Sequence, residues 1–250
     1  MNTPITVVAD TYSRAWAMAI RVLKDYSWDV FDLIVTIKDP EIRDDLAFEQ
    51  LTDFAKTNDL ILPKQVAHTI FPEKSYRNSR VRDREQFYQH YNRFYVRSRH
   101  MKHSNWGTYF KRMISYKTPA GEIDQLGRII DHINGRRTVF KSSEYMIIPQ
   151  PASDGNRKMG DPCLNYIAVQ QERNAEGDRQ ISLLAVYRNH DFLERAFGNY
   201  LGLSHLLKYI CEQTESVPGY ITCVSSHAYA LRKRASLVNM ADSILGGRDE

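Results

Sequence analysis

Cysteine is scarce in this chain: only Cys163, Cys211 and Cys223 occur among 250 residues. An odd number at wide spacings builds neither a disulfide framework nor a zinc cluster, so no metal site is expected and a reducing, cytoplasmic setting is. Long apolar runs are missing too. Nowhere do 18 apolar residues follow one another, which argues against a membrane-spanning helix. The opening Met1-Asn2-Thr3-Pro4-Ile5 lacks the basic region and apolar block of a secretory signal. No repeat, low-complexity tract or linker interrupts the chain, so a single domain over 1–250 is expected. Neither sign of charge dominates. A net charge of +4 is compatible with an anionic small ligand or with nucleic acid, and decides neither. What remains is ordinary globular material, 42% hydrophobic and 26% charged, enough for one substantial core.

Residues 5–9 read as a strand. Asp10 or Thr11 can then cap a helix to about Asp25 with Ala15, Met18, Ala19 and Val22 on its apolar face. A β-rich run, 31–37, ends at Asp39-Pro40, and 44–56 has helical spacing through Leu46, Phe48, Leu51 and Phe54. The segment 76–112 differs in composition, with ten Lys or Arg against Asp83 and Glu85, interleaved with aromatics. Two readings are open. The rings stack on nucleic-acid bases, or they pack inward from an amphipathic helix over about 84–97. Residues 121–133 predict a helix through Ile123, Leu126, Ile129, Ile130 and Ile133, ending near Asn134-Gly135. Arg136-Arg137 follow at the start of an extended run to Ile148, either as a bidentate phosphate clamp or as surface arginines.

The stretch 160–229 concentrates reactive side chains. Strand-like runs 164–171 and 180–187 flank a polar turn, Arg173-Asn174-Ala175-Glu176-Gly177-Asp178, and predict an antiparallel hairpin. A turn centred near 175–176 sets Cys163 opposite Arg188. A neighbouring cation favours a thiolate, the nucleophilic form; a buried structural cysteine is the alternative. Beyond Asp191, the positions Phe192, Ala196, Asn199, Leu203, Leu206 and Ile210 fall on one helix face. An amide on that face must have its hydrogen bonds met, by a structural network or by a ligand's amide-like edge such as that of uracil. Gly198 beside it would allow close approach. After Pro218-Gly219 a short strand, 220–224, leads into Ser225-Ser226-His227-Ala228-Tyr229, and His227 and Tyr229 share a direction if the strand continues.

In this order the residues resemble the folate-dependent thymidylate synthase family, best over 105–230 and weakly over 1–104. Cys163 after Pro162 matches the nucleophile. Arg188 and Asp191 fall at the phosphate arginine and the base-contacting aspartate. Asn199 matches the asparagine that reads the pyrimidine edge, and His227 and Tyr229 the pair on the sugar hydroxyl. Asp124-Gln125, Arg136-Arg137 and Trp106-Gly107-Thr108-Tyr109 also resemble family segments. Departures are present: Asn189 stands where a phosphate-binding serine is usual, Tyr187 where a glutamine is, and Ser142, Ser143 and Glu144 occupy the place of a tryptophan-asparagine pair. With 21 residues after Tyr229, the chain looks closest to a compact, archaeal-type branch.

The resemblance implies an α+β fold, a mixed β-sheet packed by helices, and a homodimer through the sheet in which Arg136 and Arg137 grip the partner's nucleotide. It implies 5,10-methylenetetrahydrofolate or a related reduced pterin as cofactor, a pyrimidine nucleoside monophosphate as substrate, and catalysis by Cys163, Asn199 and Asp191. Arg136, Arg137, Arg188, Asn189, His227 and Tyr229 would bind substrate. Methylation of dUMP is the leading expectation, since an amide at 199 suits uracil. A family hydroxymethylase acting on dUMP, CMP or dCMP is the alternative. A non-catalytic nucleotide or RNA binder built on 76–112 is the reading from another class.

Overall fold

The computed structural model describes residues 3–78, 83–98, 106–154 and 161–246. Gly160, and the stretches 79–82 and 99–105 of the basic aromatic segment, lie outside the described residues. The chain begins β1 (Ile5–Ala9), α1 (Tyr12–Asp25), β2 (Asp29–Ile37), α2 (Asp45–Thr57), α3 (Pro63–Ile70), α4 (Glu73–Asn78), α5 (Arg84–Ser98) and α6 (Tyr109–Ile114). It continues β3 (Tyr116–Thr118), β4 (Gly121–Ile123), α7 (Gln125–Asn134), β5 (Glu144–Ile147), α8 (Pro151–Asp154), β6 (Leu164–Arg173) and β7 (Arg179–Tyr187). It closes with β8 (His190–Asp191), α9 (Ala196–Thr214), β9 (Val217–Tyr229) and α10 (Arg234–Gly246).

Local chemistry sets several boundaries. Thr11, Asp44, Thr108 and Asp124 each cap a helix by accepting from a backbone N–H three residues on, at 3.3, 3.0, 3.1 and 2.8 Å. Asp124 also corrects the expectation for 121–133. The helix starts only at Gln125, because Asp124 caps there and Gly121, at φ +127°, closes the β3–β4 hairpin that takes Ile123. The extended run expected up to Ile148 shrinks to β5, and β9 runs unbroken past Val224 to Tyr229. In α2 the buried face falls on Ala47, Phe48 and Leu51, leaving Leu46 exposed. In α1 it falls on Tyr12, Ala15, Trp16, Ala19, Ile20 and Leu23, with Met18 and Val22 at its edge.

The strands form a mixed sheet in the order β1-β2-β9-β7-β6-β5, with β8 added beside β9. The β1–β2, β7–β9 and β8–β9 pairs are parallel, and the others antiparallel. One face is buried over its central part. Val7, Val35, Cys223, Ala185, Ile167 and Met146 lie in register across six strands. Against the sheet pack α1, α7 and α9, and α10 lies on α1. The opposite face alternates outward and is apolar as well: Val8, Ile34, Val224, Leu184, Val186, Tyr166, Tyr145 and Ile147 point there, half-buried or exposed.

In α5, Phe87 and Tyr91 turn inward to pack on Phe110, with ring centroids 5.4 and 4.8 Å away, while Phe94 stays exposed. Most described rings of the basic segment therefore serve the core.

Candidate active site

The β6–β7 hairpin has the register read from its turn. Leu164 pairs with Tyr187, and the N–H of Arg188 donates to the carbonyl of Cys163 at 2.9 Å. A bulge at Asn165 shifts the remaining pairs by one residue. Cys163 thus sits at the open end of the hairpin. It borders a recess of about 490 Å³ shared with Trp106, Tyr109, Asp191, Asn199 and Tyr229. Val66 and Thr69 of α3, and Asp161, Asn189, His190, Glu194 and Arg195, complete the wall.

Burial pushes the Cys163 thiol up from its ordinary range; Arg188 and Arg195 pull it back in part, while Asp191 and Asp161 push it further up. The expected lowering by Arg188 is real in sign but smaller than the desolvation, because the thiol is largely enclosed. The Arg188 guanidinium faces solvent and donates to the carbonyls of Pro162 (3.1 Å) and Asp161 (3.2 Å). Arg195 lines the recess itself, where its charge acts on Cys163 and Asp191 and its guanidinium donates no hydrogen bond to the described residues.

Two polar clusters frame the recess. Asn199 stands in the first turn of α9, 3% exposed, with Nδ2 3.1 Å from His190 Nε2. His190 Nδ1 lies 2.8 Å from the buried Ser225 hydroxyl, and its ring stacks on Tyr187 at 4.1 Å. Burial pushes His190 down to about 3, so the imidazole is neutral and offers one donor and one acceptor. With the amide as it stands, Asn199 Nδ2–H donates to Nε2, Nδ1–H donates to the Ser225 hydroxyl, and the amide carbonyl is left for the recess. The opposite tautomer goes with a flipped amide and reverses this.

The second cluster joins Asn189, His227 and Tyr229. His227 Nδ1 is 2.7 Å from Asn189 Oδ1, and Nε2 is 3.1 Å from Asp29 Oδ1. The rings of His227 and Tyr229 stack at 5.2 Å, as expected for alternate residues of one strand. The Tyr229 phenol also bonds Asn189, and burial holds it above its ordinary range. Pairing of β8 with Ala228 and Tyr229 brings Asp191 alongside. The Asp191 carboxylate accepts from the N–H of Leu193 (2.8 Å), and burial pushes its pKa up.

One expectation changes. Gly198 does not open a path for a ligand. A Cβ there would lie 2.6 Å from Val66 Cβ and 2.8 Å from the Pro63 carbonyl, so the close approach belongs to α3. The double arginine is not in the chain's own recess. The Arg136 carbonyl accepts from Arg179 at the turn end of the hairpin (2.8 Å), and Arg136 itself pairs with Glu144 (3.2 Å). From Arg179 to Arg188 is nine strand steps, about 30 Å at ~3.4 Å each.

Sequence reasoning passed over His190, Ser225, Arg195 and the wall residues of α3. Arg195 had a signal, standing one turn of helix after Asp191. His190 and Ser225 had none, since their meeting depends on β8 and β9 pairing. Among the described residues no group of three or more His, Cys, Asp or Glu could hold a metal ion, and no helix is long and apolar enough to cross a membrane.

No protein-family model matches the chain. Among curated proteins it is similar to one named "Putative thymidylate synthase" in Methanosarcina mazei. The two are 29% identical over 124 residues, 49% of this chain and 51% of the relative. Proteins of the same name in Methanococcoides burtonii and Methanosarcina barkeri are 26% and 27% identical over 124 and 122 residues, 49% of this chain and 52% and 51% of theirs. The chain thus spans about half the length of the curated relatives it matches. Over that half it is thymidylate synthase-like in sequence.

Proposed function

We propose that this chain transfers a one-carbon unit to carbon 5 of a pyrimidine nucleoside monophosphate, with dUMP the favoured substrate and Cys163 the nucleophile. The observation that carries the reading is the convergence of the Cys163 thiol, the buried Asn199 amide and the Tyr229 phenol on one recess. Carbon 5 of a uracil is a weak nucleophile until carbon 6 is saturated. Attack of the Cys163 sulfur on carbon 6 leaves an enolate over carbons 4 and 5 that takes the one-carbon unit at carbon 5; loss of the carbon 5 proton to solvent and expulsion of the thiolate from carbon 6 then restore the ring double bond. Asn199, oriented by His190, meets the charge that develops on the carbonyl and amide edge. Arg188 and Arg195 attract the phosphate; its arrival places His227, Tyr229 and Asn189 beside the sugar. Arg195, which the sequence reading did not select, lines the recess, and its guanidinium donates no hydrogen bond to the described residues.

A reduced pterin fits the wall opposite. Trp106 and Tyr109, with ring centroids 4.7 Å apart, offer aromatic surface to a flat ring, and the buried Asp161 Oδ1, with no hydrogen-bond partner among the described residues, offers an acceptor to a ring N–H. When bound, methylenetetrahydrofolate supplies the one-carbon unit and, for methylation, the reducing equivalents. The apolar outer face of the sheet supports a homodimer, because Arg136 and Arg137 lie too far away to serve their own recess and would act in a partner's.

A second reading is hydroxymethylation. Among the described residues, α10 docks on α1, with Arg21 2.8 Å from Asp242, rather than over the recess. An open recess admits the water that hydroxymethylation requires. Aromatics of α5 that pack inward weaken the nucleic-acid reading. The test is tritium release from 5-tritiated dUMP with methylenetetrahydrofolate. Release by the wild type and none by Cys163→Ser, with dUMP binding retained, supports the proposal; equal release by the variant refutes it. Product mass separates methyl from hydroxymethyl, and preference for dCMP over dUMP would support the hydroxymethylase.

A further inference from the structure

Helix α3 walls two recesses. Val66 and Thr69 face the Cys163 recess. On the other side of the helix, at ~100° per residue, Lys64, His68 and Phe71 face a second recess of about 580 Å³. Nothing in the chemistry at Cys163 uses it. Its inner surface is apolar, with Phe48, Ala67, Phe71 and Leu201 all buried. Around the mouth stand four exposed cations, Arg43, Lys64, Lys74 and Arg77.

The charges are unevenly matched. Arg43 is paired with Asp45, and Arg77 with Glu73 at 2.7 Å. Glu73 also holds His205 Nε2 at 3.2 Å, so the carboxylate within the recess is engaged twice. Lys64 and Lys74 have no ion pair among the described residues, and Lys64 Nζ sits 5.2 Å over the Phe48 ring. Four cations thus face two carboxylates. His68 and His205 are neutral donor-acceptors, since burial holds both below the ordinary histidine range.

A small inorganic anion would use the lysines but not the apolar interior. A neutral apolar ligand would use the interior and leave the lysines idle. A molecule with both parts uses both, and the recess lies within the ~300–1,000 Å³ common for organic ligands. We propose that the α3–α4 recess binds a polyanion carrying a flat ring, of the nucleoside triphosphate class, with the ring toward Phe48 and Phe71 and the phosphates at Lys64 and Lys74.

The proposal is independent of the reaction at Cys163 and is tested without turnover. Titration calorimetry of the full chain uses ATP and dTTP as probes, with inorganic triphosphate and thymidine for comparison. Expected is saturable one-to-one binding of at least one nucleotide, weakened tenfold or more by Lys64→Ala/Lys74→Ala and unchanged by Arg195→Ala in the Cys163 recess. Both lysines are exposed, so the thermal midpoint of the double variant should match the wild type. Inorganic triphosphate and thymidine should each bind at least tenfold more weakly than the nucleotide. Absence of saturable nucleotide binding, equal binding by the lysine variant, loss in Arg195→Ala instead, or equal affinity for inorganic triphosphate would overturn it.

Discussion

Replacing Gly198 by alanine should destabilise the protein although alanine is the better helix former. The ideal Cβ would sit 2.6 Å from Val66 Cβ and 2.8 Å from the Pro63 carbonyl oxygen. Carbon atoms in contact prefer about 3.5–4.0 Å, so α3 must retreat by roughly 1 Å. Neither neighbour is the tip of a flexible side chain; one is a β-carbon and the other is backbone. Overpacking of this kind costs about 1–3 kcal/mol, and the gain in helix propensity returns at most ~1 kcal/mol. With the full propensity gain returned, a net loss of up to about 2 kcal/mol follows, which lowers the thermal midpoint by up to ~8 °C in a chain of this size. Gly246→Ala is the control, since a Cβ there meets nothing within 4 Å. Urea and thermal unfolding of both variants provide the measurement. Wild-type or greater stability in Gly198→Ala would show that the α3–α9 contact does not require glycine. Because Val66 and Thr69 line the Cys163 recess, dUMP affinity should fall along with stability.

Two further outcomes are expected. Arg112 and Asp154 form a buried two-pronged pair at 2.6 and 2.7 Å, each side chain 6% exposed. Asp154→Ala strands the guanidinium and should cost about 3–5 kcal/mol in urea unfolding; a loss below 1 kcal/mol would mean the pair is solvated. The Cys163 thiol, raised by burial, should be alkylated slowly by iodoacetamide at pH 7 in the ligand-free protein. Its rate should still be climbing above pH 9, with Cys163→Ser as the blank. A rate that levels off below pH 8 would show that the arginines outweigh desolvation.

Much of this site was legible because it rests on local periodicity. The hairpin turn set the meeting of Cys163 with Arg188, whereas the one-face helix read from Phe192 to Ile210 begins only at Ala196 and is buried nearly all round, so Asn199 is buried with neighbours on every side of α9. Strand alternation aligned His227 with Tyr229. The helix expected from 121 failed for a local reason as well, since a hairpin closed by Gly121 and a cap at Asp124 outweighed the apolar spacing.

The sequence by itself thus determined the α and β periods, the hairpin register and the chemical inventory of the site, all set by interactions within a few residues or across one turn. Tertiary structure alone decided which partners those groups meet. Gly198 touches α3 rather than a ligand, His190 and Ser225 stand behind Asn199, and Arg195 rather than Arg188 lines the recess. The double arginine lies at the far end of the sheet from its own Cys163. Those contacts join segments tens to more than a hundred residues apart, and their geometry depends on how β8, β9 and α3 dock, which no local period encodes.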